Sequence, residues 1–394
     1  MQMQGSLRIA IVGYGTAGQA AALFLAAQGH VLSVFEQAAA PGPVGAGFLL
    51  QPTGLAVLTR LGLDRQALEA GQRIDRLYGC NDRGRCVMDM RYVDHAPDCF
   101  GLGLTRGSLF TMLRDAYADA SRIHVGVRIS SVDDGRLWDS EGRSYGPFDL
   151  VIAADGAHSA LRERTPALVR RHPVYPWGAV WCLLPAAAWS HADTLQQRYA
   201  GAREMIGLLP VGRRVDRDGR WLTFFFSLPG VQVDVFDDAA LKRLRERVAV
   251  LWPEALPLLA SIESPRQLQR ARYRDVMLRR PAQGQLVFIG DAAHAMSPQL
   301  GQGVNMALLD AAVLADALVE SVTVDAALRC YGERRRSHLA VYQRLSRLLT
   351  PLYQSDHGGL AWLRDVTFGP AGRLPLTRGQ MLKILTGTKM GWWR

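Results

Sequence analysis

The chain has 394 residues, 48% of them hydrophobic and 21% charged, the balance of an ordinary globular enzyme. Its length exceeds the usual size of one core, so two domains are expected. Its net charge is +10, and of its 46 basic residues only Lys242, Lys383 and Lys389 are lysine. Basic clusters at Arg266–Arg280 and Arg334–Arg336 would suit nucleic acid, an acidic membrane surface or phosphate groups. No aromatic-interleaved basic repeat accompanies them, so solvated arginine-rich faces are the plainer reading and no nucleic-acid partner is expected. The five cysteines form no Cys-x-x-Cys pair. They read as reduced thiols, and neither a disulfide framework nor a metal site is expected.

The first 36 residues carry the strongest local signal. Arg8 to Val12 reads as a strand, Gly13-Tyr14-Gly15-Thr16-Ala17-Gly18 as a tight turn opening a helix, and Val31 to Phe35 as a second strand tipped by Glu36. Gly13 permits the turn, Gly15 lets a backbone approach a pyrophosphate, and Gly18 lets the helix pack closely on the strand. Glu36 is placed to accept hydrogen bonds from a ribose diol, and the helix N-terminus favours phosphate. The pattern points to a dinucleotide. No Asp, Glu, Lys or Arg lies between Arg8 and Glu36, so a membrane span or a secretory leader must be weighed. Both would place three glycines inside a helix at about 1 kcal/mol each, whereas a buried parallel strand accounts for the apolar run. A cytoplasmic protein is expected.

Further along, the pattern predicts a helix from Thr53 to Leu61, an amphipathic helix from Ser108 to Ala120 and a short strand from Ile123 to Val127. A hairpin follows from Ile129 to Arg143, then a buried strand from Phe148 to Ala154 ending at Asp155-Gly156. Between about Arg170 and Arg280 the texture becomes strand-like (Gly178–Leu184, Met205–Leu209, Trp221–Leu228), with one helix at Asp238–Leu251. Leu286–Ile289 is again a buried strand, ending at Gly290-Asp291. A helix runs from Gly303 to Val319, and the chain beyond Asp325 is helical.

Three segments join the first motif: Asp155-Gly156-Ala157-His158-Ser159-Ala160-Leu161-Arg162, Gly290-Asp291-Ala292-Ala293-His294, and Ser297-Pro298 through Gly301-Gln302-Gly303-Val304-Asn305. In this order and spacing they resemble the flavoprotein aromatic hydroxylases of the para-hydroxybenzoate hydroxylase type, the single-component FAD monooxygenases. The likeness covers most of the chain and is weakest across the strand-rich middle. It implies an α/β fold, α+β overall: a Rossmann-like FAD-binding domain (1–75, 100–170, 281–340) interrupted by an antiparallel-sheet substrate domain (76–99, 171–280), with a C-terminal helical region (341–394).

Under that resemblance Gly13, Gly15, Thr16, Ala17, Gly18 and Glu36 hold the adenosine end of FAD. Asp155 lies near the pyrophosphate and is associated with NADH or NADPH use. Asp291 meets the ribityl chain, and Arg106 before its helix contacts FAD. The Gly45–Phe48 loop, with Gly47, passes beside the isoalloxazine. Pro298 and Gly301 are the flavin-proximal backbone positions, with no side-chain acid or base assigned. Gly303, Val304 and Asn305 turn a helix N-terminus toward the pyrimidine, where reduced flavin is anionic. The implied reaction is reduction of FAD by NAD(P)H, formation of a C4a-hydroperoxide with O2, and oxygen transfer to an electron-rich aromatic or heteroaromatic carbon.

Tyr175, Trp177, Trp181, Phe224 and Phe226 are candidates for the substrate wall, and Tyr175, His172 or Tyr199 for deprotonating a phenol. His158 and His294 read as structural. The tail from Leu360 to Gly391 resembles the C-terminal helices of ubiquinone-biosynthesis hydroxylases in the same family. It is a candidate for peripheral membrane contact, although packing onto the FAD domain is favoured. A monomer or homodimer is expected. A flavin-dependent halogenase shares the FAD motifs, but its Trp-x-Trp-x-Ile-Pro signature and its lysine are missing. A non-catalytic FAD-containing binding protein is the remaining alternative.

Overall fold

The computed structural model describes residues 5–42, 45–186 and 189–391. The apolar run that opens the chain is strand, helix and strand: Arg8–Val12, Thr16–Ala27 and Val31–Glu36. Arg8–Val12 lies inside a six-stranded sheet, paired in parallel with Val31–Glu36 on one side and Leu150–Ala153 on the other. Leu286–Phe288 extends the sheet beyond Leu150–Ala153, and Ile123–Val125 extends it beyond Val31–Glu36, both in parallel. Central parallel strands are covered on both faces, which is why Ile9, Ala10 and Ile11 are wholly buried. Helices Thr16–Ala27 and Gly303–Glu320 pack into the core on one face, and strands Ile129–Asp133 and Arg136–Asp139, with Phe148, cover the other.

A seven-stranded sheet forms the second layer, in the order Gln269–Arg274, Val174–Pro185, Trp221–Pro229, Glu204–Gly212, Thr194–Ala200, Arg76–Asn81 and Cys86–Arg91. It is not wholly antiparallel: Thr194–Ala200 runs parallel to Arg76–Asn81, because the last two strands arrive from an earlier stretch of chain. One face packs under helix Asp238–Leu251 and Trp252. The opposite face meets strand Gly47–Leu50, Tyr92 and the helical C-terminus.

Several local expectations shift. The helix expected from Ser108 to Ala120 spans Arg106–Ala116. Thr105 caps its start by accepting from the Ser108 N–H, and Tyr117 turns extended at φ −86°, ψ 109°. The strand expected to reach Val127 stops at Val125, before Gly126 at φ +70°. Helix Val324–Tyr353 is followed by Gly358–Ala371 and Pro375–Thr386. The tail divides between the layers. Gly358–Ala371 packs on the seven-stranded sheet, where Asn81 Nδ2 donates to Asp365 at 2.8 Å. Pro375–Thr386 meets the parallel-sheet layer through Gln302 Nε2, which donates to the Leu385 carbonyl at 2.8 Å, while Leu382 and Leu385 join Leu49, Val211 and Trp221 in the core. Trp362 and Leu376 remain exposed. Among the described residues no helix is long and apolar enough to cross a membrane.

Candidate cofactor and active site

Four loops meet at the ends of the parallel strands where a doubly wound sheet binds its ligands. Gly13 adopts φ +103°, and a Cβ there would lie 2.4 Å from the Ala154 carbonyl oxygen. A Cβ on Gly18 would lie 2.0 Å from the Gly13 carbonyl oxygen, so the helix sits directly on the turn. At Gly15 a Cβ would meet nothing within 4 Å. That glycine therefore faces open space, at a helix start with no side-chain cap and no acid in its first turn. The N–H groups that a helix leaves unpaired here, at Thr16, Ala17 and Gly18, suit a phosphate. Glu36 is held at the strand tip, its Oε2 accepting from the Tyr14 N–H at 2.9 Å and its Oε1 from the Ala38 N–H at 2.8 Å.

The downstream motifs are bolted together by a side chain. Arg162, 1% exposed, donates to the Ala157 carbonyl at 2.6 Å and the Ala292 carbonyl at 2.9 Å. This joins the Asp155-Gly156 turn to the Gly290–His294 segment. Burial pushes the Asp155 carboxyl upward, against a hydrogen bond from Ser159, and its Oδ1 is buried without a partner. Asp291 stands exposed at the start of its short helix, and its Oδ1 is 4.0 Å from where a Gly303 Cβ would be. The start of helix Gly303–Glu320 also lacks a side-chain cap and a first-turn acid. Pro298 begins the short turn before it, and Gly301 closes that turn in the left-handed region at φ +62°.

Arg106 is the most informative charge in the site. Burial pushes its guanidinium pKa down, with Asp291 and Tyr273 acting in the opposite sense. Its Nε is buried with no hydrogen-bond partner, as is the Tyr273 hydroxyl. The residue as a whole is half-buried, but a buried guanidinium N–H without an acceptor is costly unless something negative or strongly dipolar completes it. Gly45 exists because of it: a Cβ there would lie 2.5 Å from Arg106 Cδ. A Cβ on Gly47 would lie 2.3 Å from Thr223 Oγ1 and 2.6 Å from Val211 Cγ1, so this loop presses directly on the seven-stranded sheet. Asn305, wholly buried, uses its side chain as a brace. Its Oδ1 accepts from the Gln51 N–H at 2.8 Å, and its Nδ2 donates to the Gly301 carbonyl at 3.2 Å. Only its backbone and that of Val304 remain for the helix-start role.

The substrate-wall candidates divide between two faces. Phe224 and Phe226 do not line the site: both are buried beneath helix Asp238–Leu251. Strand alternation turns Thr223 and Phe225 the other way. Trp181 pairs with Phe225 on that same face, and the buried Trp177 lies beneath Arg203, 6.0 Å from ring to guanidinium carbon. Tyr175 lies beside Ser346 and Ser297, the residue before Pro298, and burial together with Asp275 pushes its phenol pKa up. Tyr199 is structural: its hydroxyl donates to Gln197 Oε1 at 2.8 Å and its ring lies 5.3 Å from Tyr353. His172 is exposed on the surface.

His294 has an acid partner that sequence reading missed. Its Nε2 lies 2.5 Å from Asp310 Oδ2, which also accepts from the Gly290 N–H at 2.8 Å. Arg335 Nε reaches Asp310 Oδ1 at 2.7 Å, and Arg335 in turn contacts His338 at 2.6 Å. Burial opposes the Asp310 charge, yet His294 and Arg335 outweigh it and hold the carboxyl well below its usual range. Burial first, and Arg335 second, push His338 down to about 4. The network fixes Gly290 from behind. Its sequence trace is Asp310, one of two Asp within a mostly apolar helix.

A family model described as an FAD binding domain matches residues 6–345. The chain belongs to the FAD-dependent aromatic hydroxylase family. It is 30% identical to an FAD-dependent urate hydroxylase of Klebsiella oxytoca, over 84% of this chain and 86% of that one. It is 28% identical to aurachin C monooxygenase/isomerase of Stigmatella aurantiaca (92% and 94% covered). With 6-hydroxynicotinate 3-monooxygenase of Bordetella bronchiseptica the identity is 27%, over 93% and 98%. The fold matches that of Klebsiella pneumoniae HpxO complexed with FAD and uric acid, with TM-score 0.80, 23% identity and 98% of each chain covered. It also matches tetrameric 2-methyl-3-hydroxypyridine-5-carboxylic acid oxygenase, with TM-score 0.77, 22% identity and 94% and 95% covered. The enzyme is an FAD-dependent monooxygenase.

The open face at Gly15, the free edge of Asp155, the exposed Asp291 and the incomplete Arg106 fit an extended dinucleotide whose phosphates need donors and whose ribityl chain needs an acceptor.

Proposed function

We propose that this monooxygenase uses NADH or NADPH and O2 to hydroxylate a small heteroaromatic or aromatic molecule. When bound, FAD supplies the acceptance of reducing equivalents and the activation of oxygen. The chain's own residues supply position and charge. Gly13 through Gly18 and Glu36 would hold the adenosine end, Arg106 and Asp291 the middle, and Pro298 through Asn305 the ring. The helix start at Gly303, which has no first-turn acid, would supply partial positive charge to an anionic flavin edge. Gly47 against Thr223 closes the boundary between the two sheets, and in this reading Thr223, Tyr273, Trp181 and Tyr175 would stand toward the substrate.

The observation that carries this reading is the buried, partnerless Nε of Arg106 amid three open glycine-bearing turns. The preference for heteroaromatic rings is supported by relatives named for urate, 6-hydroxynicotinate and a heptylquinolone. The test is direct. Purified protein reconstituted with FAD should oxidise NAD(P)H faster when a pyridinol, quinolone or purine is added, with a hydroxylated product seen by mass spectrometry. Stimulated oxidation yielding only hydrogen peroxide for every ring tested would sink the assignment.

A further inference from the structure

The two basic clusters singled out in the sequence come together in space. Strand residues Met277–Leu278 and the turn after them face helix Val324–Tyr353 across a groove of about 1060 Å³. This exceeds the several hundred Å³ of a typical small-molecule site. Nine arginines line the groove. Four have carboxylate partners: Arg171 and Arg347 share Asp275, Arg335 holds Asp310, and Arg329 holds Asp325. The other five, Arg170, Arg279, Arg280, Arg336 and Arg344, are exposed and have no side-chain partner among the described residues. Pro281, Leu328 and Leu339 give the groove an apolar floor.

Among the described residues, five unpaired guanidinium groups around one concavity, against the single unpaired carboxylate of Glu333, repel one another and raise the local positive potential. Arginine forks match phosphate oxygens in pairs, and an apolar floor suits the face of a planar base. We propose that this groove binds a phosphorylated nucleotide, with its phosphates on the five free arginines and its base along the Pro281–Leu328–Leu339 floor. The concavity favours a small polyanion over duplex nucleic acid or a lipid surface, both of which need an extended face. The groove reaches Ala293 and His294, so an occupant would lie behind the Asp291 helix, apart from the open turns assigned to FAD. This assignment does not depend on turnover, because binding alone reads it.

The test uses holoenzyme saturated with FAD, so that the cofactor site is closed to the probe. ADP and inorganic pyrophosphate are titrated by calorimetry at 50 and 200 mM salt. Wild type should bind ADP, at least tenfold more weakly at the higher salt. Arg336→Glu with Arg344→Glu should abolish binding while FAD content and melting temperature stay unchanged. Arg336→Gln with Arg344→Gln, which adds no negative charge, should weaken it at least tenfold. The source of the phosphate is read from steady-state kinetics. A raised KM for NAD(P)H at unchanged kcat in the glutamine variant identifies the reducing dinucleotide, and an unchanged KM identifies a separate nucleotide. Equal ADP affinity in wild type and variants overturns the proposal, as does absence of ADP binding at 50 mM salt. Binding confined to duplex DNA or anionic vesicles overturns it as well.

Discussion

Two sets of buried charge, both at the ends of the parallel strands, are built in opposite ways. Asp310 is saturated, with His294, Arg335 and the Gly290 N–H all upon it. Arg106 and Asp155, on the other side of the Gly290–Asp291 turn, each keep a buried polar atom with no partner. A buried carboxylate with two cationic side chains and an N–H upon it holds structure, even though His294 keeps its Nδ1 without a partner; an orphaned polar atom in an open loop is a cost that a ligand can relieve. The first set reads as scaffold, and the second is where we propose the binding surface.

The sharpest way to break that contrast is Asp310→Ala. It strands Arg335, His294 and the Gly290 N–H together, and should cost about 3–5 kcal/mol of stability. Denaturant unfolding of the apoprotein would show it, and a loss below about 1 kcal/mol would mean the network is not scaffold. Arg106→Leu should do the reverse. FAD affinity falls about 10- to 100-fold, roughly 1.4–2.7 kcal/mol, while apoprotein stability holds or rises. Fluorescence titration of FAD beside a melting curve separates the two effects.

A smaller effect appears with pH. The folded pKa of His338 is lowered to about 4, below its unfolded value of about 6.5, so the unfolded chain binds the extra proton first. The stability it contributes is complete above about pH 6.5 and declines toward pH 4 by up to about 1.4 kcal/mol per unit. His338→Gln should flatten that slope. Asp310, held below its usual range, adds a separate loss only below about pH 4, its unfolded value. Smallest of all, Thr223→Val removes a buried hydroxyl with no partner. It should leave apoprotein stability and FAD affinity intact and raise KM for the aromatic about threefold, one modest hydrogen bond.

The turn at Gly13, the strands around it and the motif segments were legible because their signals are local: a glycine pattern, a buried run, a helix start. The tight contacts of Gly13 and Gly18 are those the spacing suggested. Phe224 and Phe226 misled because alternation along Trp221–Pro229 says that two faces exist, and not which one helix Asp238–Leu251 will cover. The brace by Asn305, the bolt by Arg162 and the partnership of His294 with Asp310 join residues through space, and one sequence carries no mark of such pairs. The parallel pairing of Thr194–Ala200 with Arg76–Asn81 was hidden for the same reason. The groove was half visible: both arginine clusters could be counted, but their meeting could not.

Helix Thr16–Ala27 packs along helix Gly303–Glu320, and Gln28 donates to the Ala315 carbonyl at 3.1 Å. On the ribosome this has a consequence for timing. The first βαβ turn emerges early, yet it cannot bury its apolar helix until nearly three hundred further residues have been made. The nascent chain must therefore hold an aggregation-prone segment in reserve, with the whole second sheet folding in between. Cofactor capture then becomes one of the last events in the protein's biogenesis.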